Sequence, residues 1–377
     1  MSAGASDRPA PPAASGSPLA GLRAQFPVLE RVAYLNAGSN GPLPAAGVAA
    51  ARAELERELT EGRGARSHYE RRQQVAAALR AAYAQRVGCA VEDLALTGST
   101  TEGIGRVLLG LELRPGDEVV TSDEEHPGVL GPLLAQRARG VEVRLAPWGD
   151  VADAVGPRTR LVVCSHVSWR SGRYAPLDAL AQLDVPVLLD GAQGAGAVPV
   201  DVGALGAAAY AAAGQKWLCG PEGSGLLYVS PVLRERMCPP APAYVNLADP
   251  DAGLDAALHG DARAYDAPVL SGPALAQAAA ALDVLAVAGW DAIHAHAAAL
   301  AARAADALAA AGREVLPRDR TTLVTWREPD APAVVERLGA AGVVVRWLPG
   351  ERLVRASFGG WNDERDLDRL LAALPPH

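Results

Sequence analysis

The feature that most constrains this chain is a series of short apolar runs, each ending in small or polar residues and each followed by a helical pattern. The clearest is 185–190, VPVLLD, apolar at every position up to a terminal acid. A half-exposed strand alternates apolar and polar residues. A run without alternation belongs to a strand covered on both faces, as in a parallel sheet between helices. Related runs occur at 94–97, 117–121, 141–145, 161–165 and 225–229, and an Ala-rich run leads up to residue 213. The strand–loop–helix repetition makes the chain α/β with a mostly parallel sheet. Helices are expected over 48–59 and 70–87. From about 241 the pattern changes: Ala-rich helices over 273–287 and 290–311, strands over 321–326, 343–347 and 353–358, and a last helix over 363–374. That is a smaller α+β domain. The expected division is a disordered tail at 1–20, an N-terminal segment at 21–45 packing near the active site, a large domain at 46–245 and a small C-terminal domain at 246–377.

Composition narrows the function classes. Half of the 377 residues are hydrophobic, enough for a sizeable core, and the net charge is −8. No basic stripe supports nucleic-acid or anionic-membrane binding. Four scattered cysteines lack CxxC spacing, and no HExxH occurs, so neither a disulfide framework nor a metal site is expected. Residues 1–20 are rich in Ala, Pro, Ser and Gly, without the cationic start and apolar core of a secretory signal. No run is apolar enough to span a bilayer. A cytoplasmic protein is expected.

In open α/β sheets ligands collect beyond the carboxyl ends of the strands, so the residues after each run carry the chemistry. Lys216 is the chain's only lysine, among 35 Lys and Arg residues. Arginine stays protonated, whereas a desolvated lysine loses its proton and forms an imine. The stretch 94–105, LALTGSTTEGIG, runs from a strand into a helix through Ser99, Thr100 and Thr101. The free N–H groups of such a helix start suit a phosphate, although plain N-capping uses the same residues. Asp190 ends a buried strand, where a carboxylate must be paired or functional. His126 follows another strand end, and Ser168 and Trp169 lie in the loop after 161–165. An anion cradle, a buried carboxylate and an imine-forming lysine are the three requirements of pyridoxal phosphate: its phosphate, its ring nitrogen and its aldehyde.

The motifs TTEG, EHP, SHVS, DGAQ, QKWLCGPEG and VRAS occur in that order, and the stretch from Tyr34 to Leu374 resembles the class V aminotransferase family. The resemblance implies a fold-type-I pyridoxal-phosphate enzyme, with a seven-stranded type of sheet, acting as a homodimer on a small amino acid. It implies that Lys216 binds the cofactor and moves the Cα proton, that Asp190 pairs with the ring nitrogen, that Gln193 bonds the ring's phenolic oxygen, and that His126 stacks on the ring. Thr100, Thr101, Ser168 and Gln215 complete the cofactor set. Asn36 and Arg355 are assigned to the substrate, with Arg355 on its carboxylate. The sequence departs from the family at Ala213 and Gln215, where serine and histidine are usual. It departs also at Trp169, where desulfurases carry asparagine, and near Val269, where a phosphate-binding threonine is usual. No cysteine lies beyond Cys238, so the persulfide-carrying cysteine of desulfurases is missing. The expected function is aminotransferase or C–S lyase chemistry. The alternatives are an epimerase of the isopenicillin N epimerase-like type and, less favoured, a cysteine desulfurase or a silent homologue. A nucleotide-dependent oxidoreductase is disfavoured, because the 191–196 stretch reads GxxGxG and not GxGxxG.

Overall fold

The structure is a computed structural model describing residues 18–375. Twelve strands occur among these residues: β1 Ala33–Tyr34, β2 Leu94–Thr97, β3 Glu118–Ser122, β4 Glu142–Ala146, β5 Thr159–Ser165, β6 Val187–Asp190, β7 Ala209–Ala213, β8 Gly225–Val229, β9 Leu323–Arg327, β10 Val343–Val344, β11 Arg346–Leu348 and β12 Leu353–Ser357. The large sheet has seven strands in the order β2-β8-β7-β6-β5-β3-β4. The pairs among β4, β3, β5, β6 and β7 are parallel; β8 runs antiparallel to both β7 and β2. The carboxyl ends of β2, β3, β5, β6 and β7 therefore share one edge.

The central strands are buried on both faces, as their unbroken apolar runs require. Along β5 and β6 alternate side chains enter opposite cores: Val162, Cys164 and Leu189 on one side, Leu161, Val163 and Leu188 on the other. Strands β11, β12 and β9 form an antiparallel sheet with its own core, which includes Leu300, Leu308, Val324, Trp326, Leu338 and Leu367.

The cores do not divide at residue 246. The helix Gly272–Ala288 buries Leu275, Leu282 and Leu285 in the large core, and Ile293 of the next helix joins them. The small core takes over along the helix Trp290–Ala310, at Leu300. An Ala-rich helix carries little facial bias, so its sequence does not say which core it joins. The helix Pro18–Ala24 also begins inside the segment assigned to a tail at 1–20; residues 1–17 lie outside the described part. The N-terminal segment crosses to the small domain, where β1 pairs with β10 and Ala33 and Leu35 enter the small core. The loop after β1 is thereby placed over the carboxyl edge of the large sheet.

No single described helix is long and apolar enough to cross a membrane. The bent pair Gly272–Ala288 and Trp290–Ala310 passes that test only together, and its Leu275, Leu282, Leu285, Ile293, Leu300 and Leu308 lie in the two cores.

Candidate active site

The site collects at the shared edge. Ser99 caps the helix Thr100–Gly110, its hydroxyl accepting from the Glu102 N–H at 3.1 Å. That leaves Thr100 free. Its side chain is buried and its Oγ1 has no hydrogen-bond partner. A buried hydroxyl without a partner costs about 1–3 kcal/mol, and an anion at the helix start would supply the missing acceptor. Thr101 is exposed at the same turn and faces Gly128, where an added Cβ would meet its Oγ1 at 2.6 Å. Gln215 presents a second unpartnered group, its Oε1. The Thr100 hydroxyl and the free N–H groups of its helix start fit an absent phosphate-bearing group, whereas the Gln215 Oε1 is an acceptor and awaits a donor.

Asp190 ends β6 with its carboxylate accepting from the Ala192 N–H at 2.8 Å. Burial pushes its pKa up, against the opposing pull of Lys216. Lys216 sits two residues beyond Gly214 at the end of β7. Desolvation is the main influence that brings its ammonium down to about 8, with Arg355 and Arg346 adding to it and Asp190 resisting. His126 caps the helix Pro127–Ala138, its Nδ1 accepting from the Gly128 N–H at 3.0 Å. Its proton is therefore on Nε2. Burial and then the charges of Lys216, Arg346 and Arg355 lower its pKa to about 4, so the ring is neutral. Glu125 braces that turn from below, accepting from Ser122 Oγ, Ser165 N–H and Ser165 Oγ. Gln193 donates to the Gly38 carbonyl at 2.8 Å and accepts from Trp217 Nε1 at 2.9 Å, leaving one amide hydrogen for a ligand.

The loop after β1 closes the site. Gly41 donates to the Gln215 carbonyl, and a Cβ at Gly41 would fall 2.0 Å from the Lys216 carbonyl oxygen, so only glycine permits this approach. Arg355 on β12 is fully buried. It donates from Nη1 to the Trp169 carbonyl at 2.7 Å and from Nη2 to Ser39 Oγ at 3.4 Å, while Nε has no partner. Among the described residues no carboxylate pairs with it. Burial, with Arg346 second, lowers its pKa to about 9. Asn36 does not stand free beside it: its Oδ1 accepts from Ser39 Oγ at 2.8 Å. Ser168 is not brought to the cluster. Its hydroxyl donates to Glu124 at 2.6 Å and accepts from the Arg170 and Ser171 N–H groups, so it is spent on holding its own loop. Its neighbour Trp169 does reach the site, with its ring edge-on to His126 at 5.0 Å and 89°.

A family model described as Aminotransferase class-V matches residues 33–370. The chain belongs to the class V aminotransferase family. Its members are pyridoxal-phosphate enzymes, which bears out the expected cofactor, enzyme class and fold. A probable cysteine desulfurase of Methanothermobacter thermautotrophicus is 34% identical over 223 residues, 55% of this chain and 56% of that protein. One from Pseudomonas aeruginosa is 30% identical over 327 residues, covering 75% and 77%. The chain thus spans little more than half the length of the first of these relatives. Among solved structures, the cystine C-S lyase C-DES in complex with its reaction product cysteine persulfide superposes with a TM-score of 0.88 at 27% identity, covering 92% of this chain and 98% of that one. A cysteine desulfurase from Escherichia coli gives 0.82 at 26%, covering 94% and 97%.

Three groups of this class V site escape a reading of the sequence alone: Ser39, the Trp169 carbonyl and Arg346. Arg346 stands opposite Arg355 in the β11–β12 register and donates from Nη1 to Ser39 Oγ at 3.1 Å. A signal for it exists. The two arginines flank a Pro-Gly turn, and a hairpin there sets them face to face. The departures from the family pattern also have visible places. Ala213 is a buried strand end, and Val269 is exposed.

Proposed function

We propose that this protein is a pyridoxal-phosphate enzyme acting at Cα and Cβ of a small α-amino acid, with C–S lyase chemistry as the leading reading and transamination as the second. The observation that carries it is the juxtaposition at one sheet edge of the chain's only amine side chain, held down to about 8, with a buried carboxylate and a buried guanidinium that has no acidic partner among the described residues. The unpartnered Thr100 hydroxyl and the helix start beneath it would hold the phosphate, Asp190 the ring nitrogen, Lys216 the aldehyde, and His126 a face of the ring. When bound, the cofactor supplies an electron sink for the pair released at Cα.

The chain's own residues would do the rest. Arg355 fixes the substrate α-carboxylate through its uncommitted N–H groups. Lys216 takes the Cα proton as free base and returns it, a role its lowered pKa favours near neutrality. Asp190, whose charge Lys216 favours against the cost of burial, would pair with the ring nitrogen. The closed loop at 36–41 limits water.

The relatives' names raise a desulfurase. Two features weigh against one that carries sulfur on a mobile cysteine. The turn between β11 and β12 spans only residues 349–352 and holds no cysteine. Cys164 and Cys219 are buried, with thiol pKa values pushed well up by desolvation. The likeness to a cystine C-S lyase supports a lyase in its place. A homodimer belongs to the proposal; its support is the outward display of Tyr244, Leu254 and Val269 along one segment. The test is a product assay on the cofactor-loaded protein. Sulfide with pyruvate from cysteine or cystine supports the lyase, and conversion of the cofactor to its amine form with a keto acid supports transamination. Neither product across a broad panel of amino acids overturns both.

A further inference from the structure

Gln193 is held from two sides by groups that cannot exchange roles. The indole N–H of Trp217 is a donor only, and it takes the amide oxygen, Gln193 Oε1, at 2.9 Å. The Gly38 carbonyl is an acceptor only, and it takes one hydrogen of the amide nitrogen at 2.8 Å. Turning the amide over would set its NH2 against the indole N–H and its oxygen against the carbonyl. Both side chains are buried, where a polar group without a partner is costly. The one orientation that satisfies both anchors leaves the second amide hydrogen open.

The two anchors belong to different parts of the fold. Gly38 lies in the loop after β1, which is tied to the small domain: the Leu35 N–H donates to the Val344 carbonyl at 2.9 Å, and the Ser357 N–H donates to the Leu35 carbonyl at 2.8 Å. Gly38 packs on that side as well, for a Cβ there would meet Ser357 Oγ at 2.8 Å and Arg355 Nη2 at 2.9 Å. Trp217 instead follows Lys216 directly, and its side chain is part of the large core. The terminal torsion of a glutamine is broad and roughly two-fold, so its amide takes its direction from its hydrogen bonds. The bond that fixes this amide relative to Lys216 and Asp190 is therefore the one from Trp217.

We propose that Trp217 is a positioning residue: its indole N–H directs the Gln193 amide so that an N–H, and not the oxygen, faces the phenolic oxygen of the bound cofactor. This rests on the reading of Gln193 as that oxygen's partner. A donor there stabilises the oxygen's negative charge, most of all once the nitrogen linking the cofactor to Lys216 has lost its proton, so the midpoint of the visible band's pH titration reports the donor. The test is that titration on cofactor-loaded protein. Gln193→Met is expected to move the midpoint up by roughly 0.4–1 pH unit, the worth of one hydrogen bond. Trp217→Phe keeps an aromatic ring, removes the donor, and is expected to move the midpoint up at least about half as far. Trp217→His sets Nε2 as many bonds from Cβ as the indole nitrogen, and is expected to hold the midpoint near that of the unaltered protein although it fills less space. A residue that only packs would give the reverse order, with Phe the milder change. Trp217→Phe added to Gln193→Met is expected to move the midpoint no further than Gln193→Met alone. Asp190, Glu125, His126, Arg346 and Arg355 are common to every variant, so their charges cancel in the comparison. A midpoint unmoved by Trp217→Phe where Gln193→Met shifts it overturns the proposal, and so does an additive double variant. A midpoint unmoved by Gln193→Met overturns the reading of Gln193 and the proposal with it, whereas an unaltered protein without a visible band overturns the lysine reading beneath both. Should the Trp217 variants not fold, Gln193→Glu decides. It turns an oxygen toward the Gly38 carbonyl, so cofactor affinity is expected to fall roughly tenfold or more, and affinity equal to that of the unaltered protein would overturn the orientation.

Discussion

The unpaired guanidinium of Arg355 makes a prediction opposite to the usual effect of a core substitution. Replacing it by methionine, Arg355→Met, keeps most of its volume and removes the buried charge. Burial and the neighbouring Arg346 hold its pKa at about 9, well below the ordinary guanidinium range, so the charged form costs about 5 kcal/mol at roughly 1.36 kcal/mol per pH unit. The substitution surrenders the 2.7 Å bond to the Trp169 carbonyl and the long contact to Ser39, roughly 2–4 kcal/mol with the carbonyl left unsatisfied. The difference favours the variant by about 1–3 kcal/mol, in the range found when buried ions give way to apolar residues. The assay is urea denaturation of cofactor-free protein followed by tryptophan fluorescence, with unchanged slope and a higher midpoint. The same variant loses its affinity for amino acids. Stability given up for function has this signature. A variant destabilised by about 1 kcal/mol or more would refute the reasoning, because the guanidinium would then have a compensating partner.

Three further outcomes follow from the geometry. Cofactor uptake needs Lys216 as free base, so its rate should rise with pH to a plateau above about 8. Removing the like charge in Arg346→Gln should move that midpoint up, and removing the opposite charge in Asp190→Asn should move it down, both read by stopped-flow absorbance. Gly41→Ala puts a methyl 2.0 Å from the Lys216 carbonyl oxygen, so the loop must retreat; a loss of about 1–3 kcal/mol in stability is expected, together with weakened cofactor binding. Thr100→Val removes an unpartnered buried hydroxyl. Cofactor-free protein should be as stable or more so, while affinity for pyridoxal phosphate falls roughly tenfold in an absorbance titration.

What the sequence disclosed follows from how local each signal is. The strands of the large sheet were legible because burial on both faces erases alternation, as in 185–190. Lys216 was legible because a chain so rich in arginine keeps only one lysine. Asp190 was legible because an acid ending a buried strand stands out. Arg346 was not, since one arginine among so many has little mark beyond the Pro349-Gly350 turn that follows it, and its meaning comes from the cross-strand register. Ser168 was assigned to the cofactor by its motif, but its hydroxyl is consumed by Glu124 and two N–H groups of its own loop. The membership of the helix Gly272–Ala288 in the large core was hidden because nearly every position is small and apolar.

The central claim is that Lys216 carries the cofactor. Borohydride reduction of the cofactor-loaded protein, followed by peptide mass spectrometry, tests it most directly. The account expects a reduced pyridoxyl adduct on the peptide bearing Lys216, abolished in Lys216→Ala. Cofactor recovered wholly free after reduction, or an adduct on the chain's α-amino group alone, would contradict it.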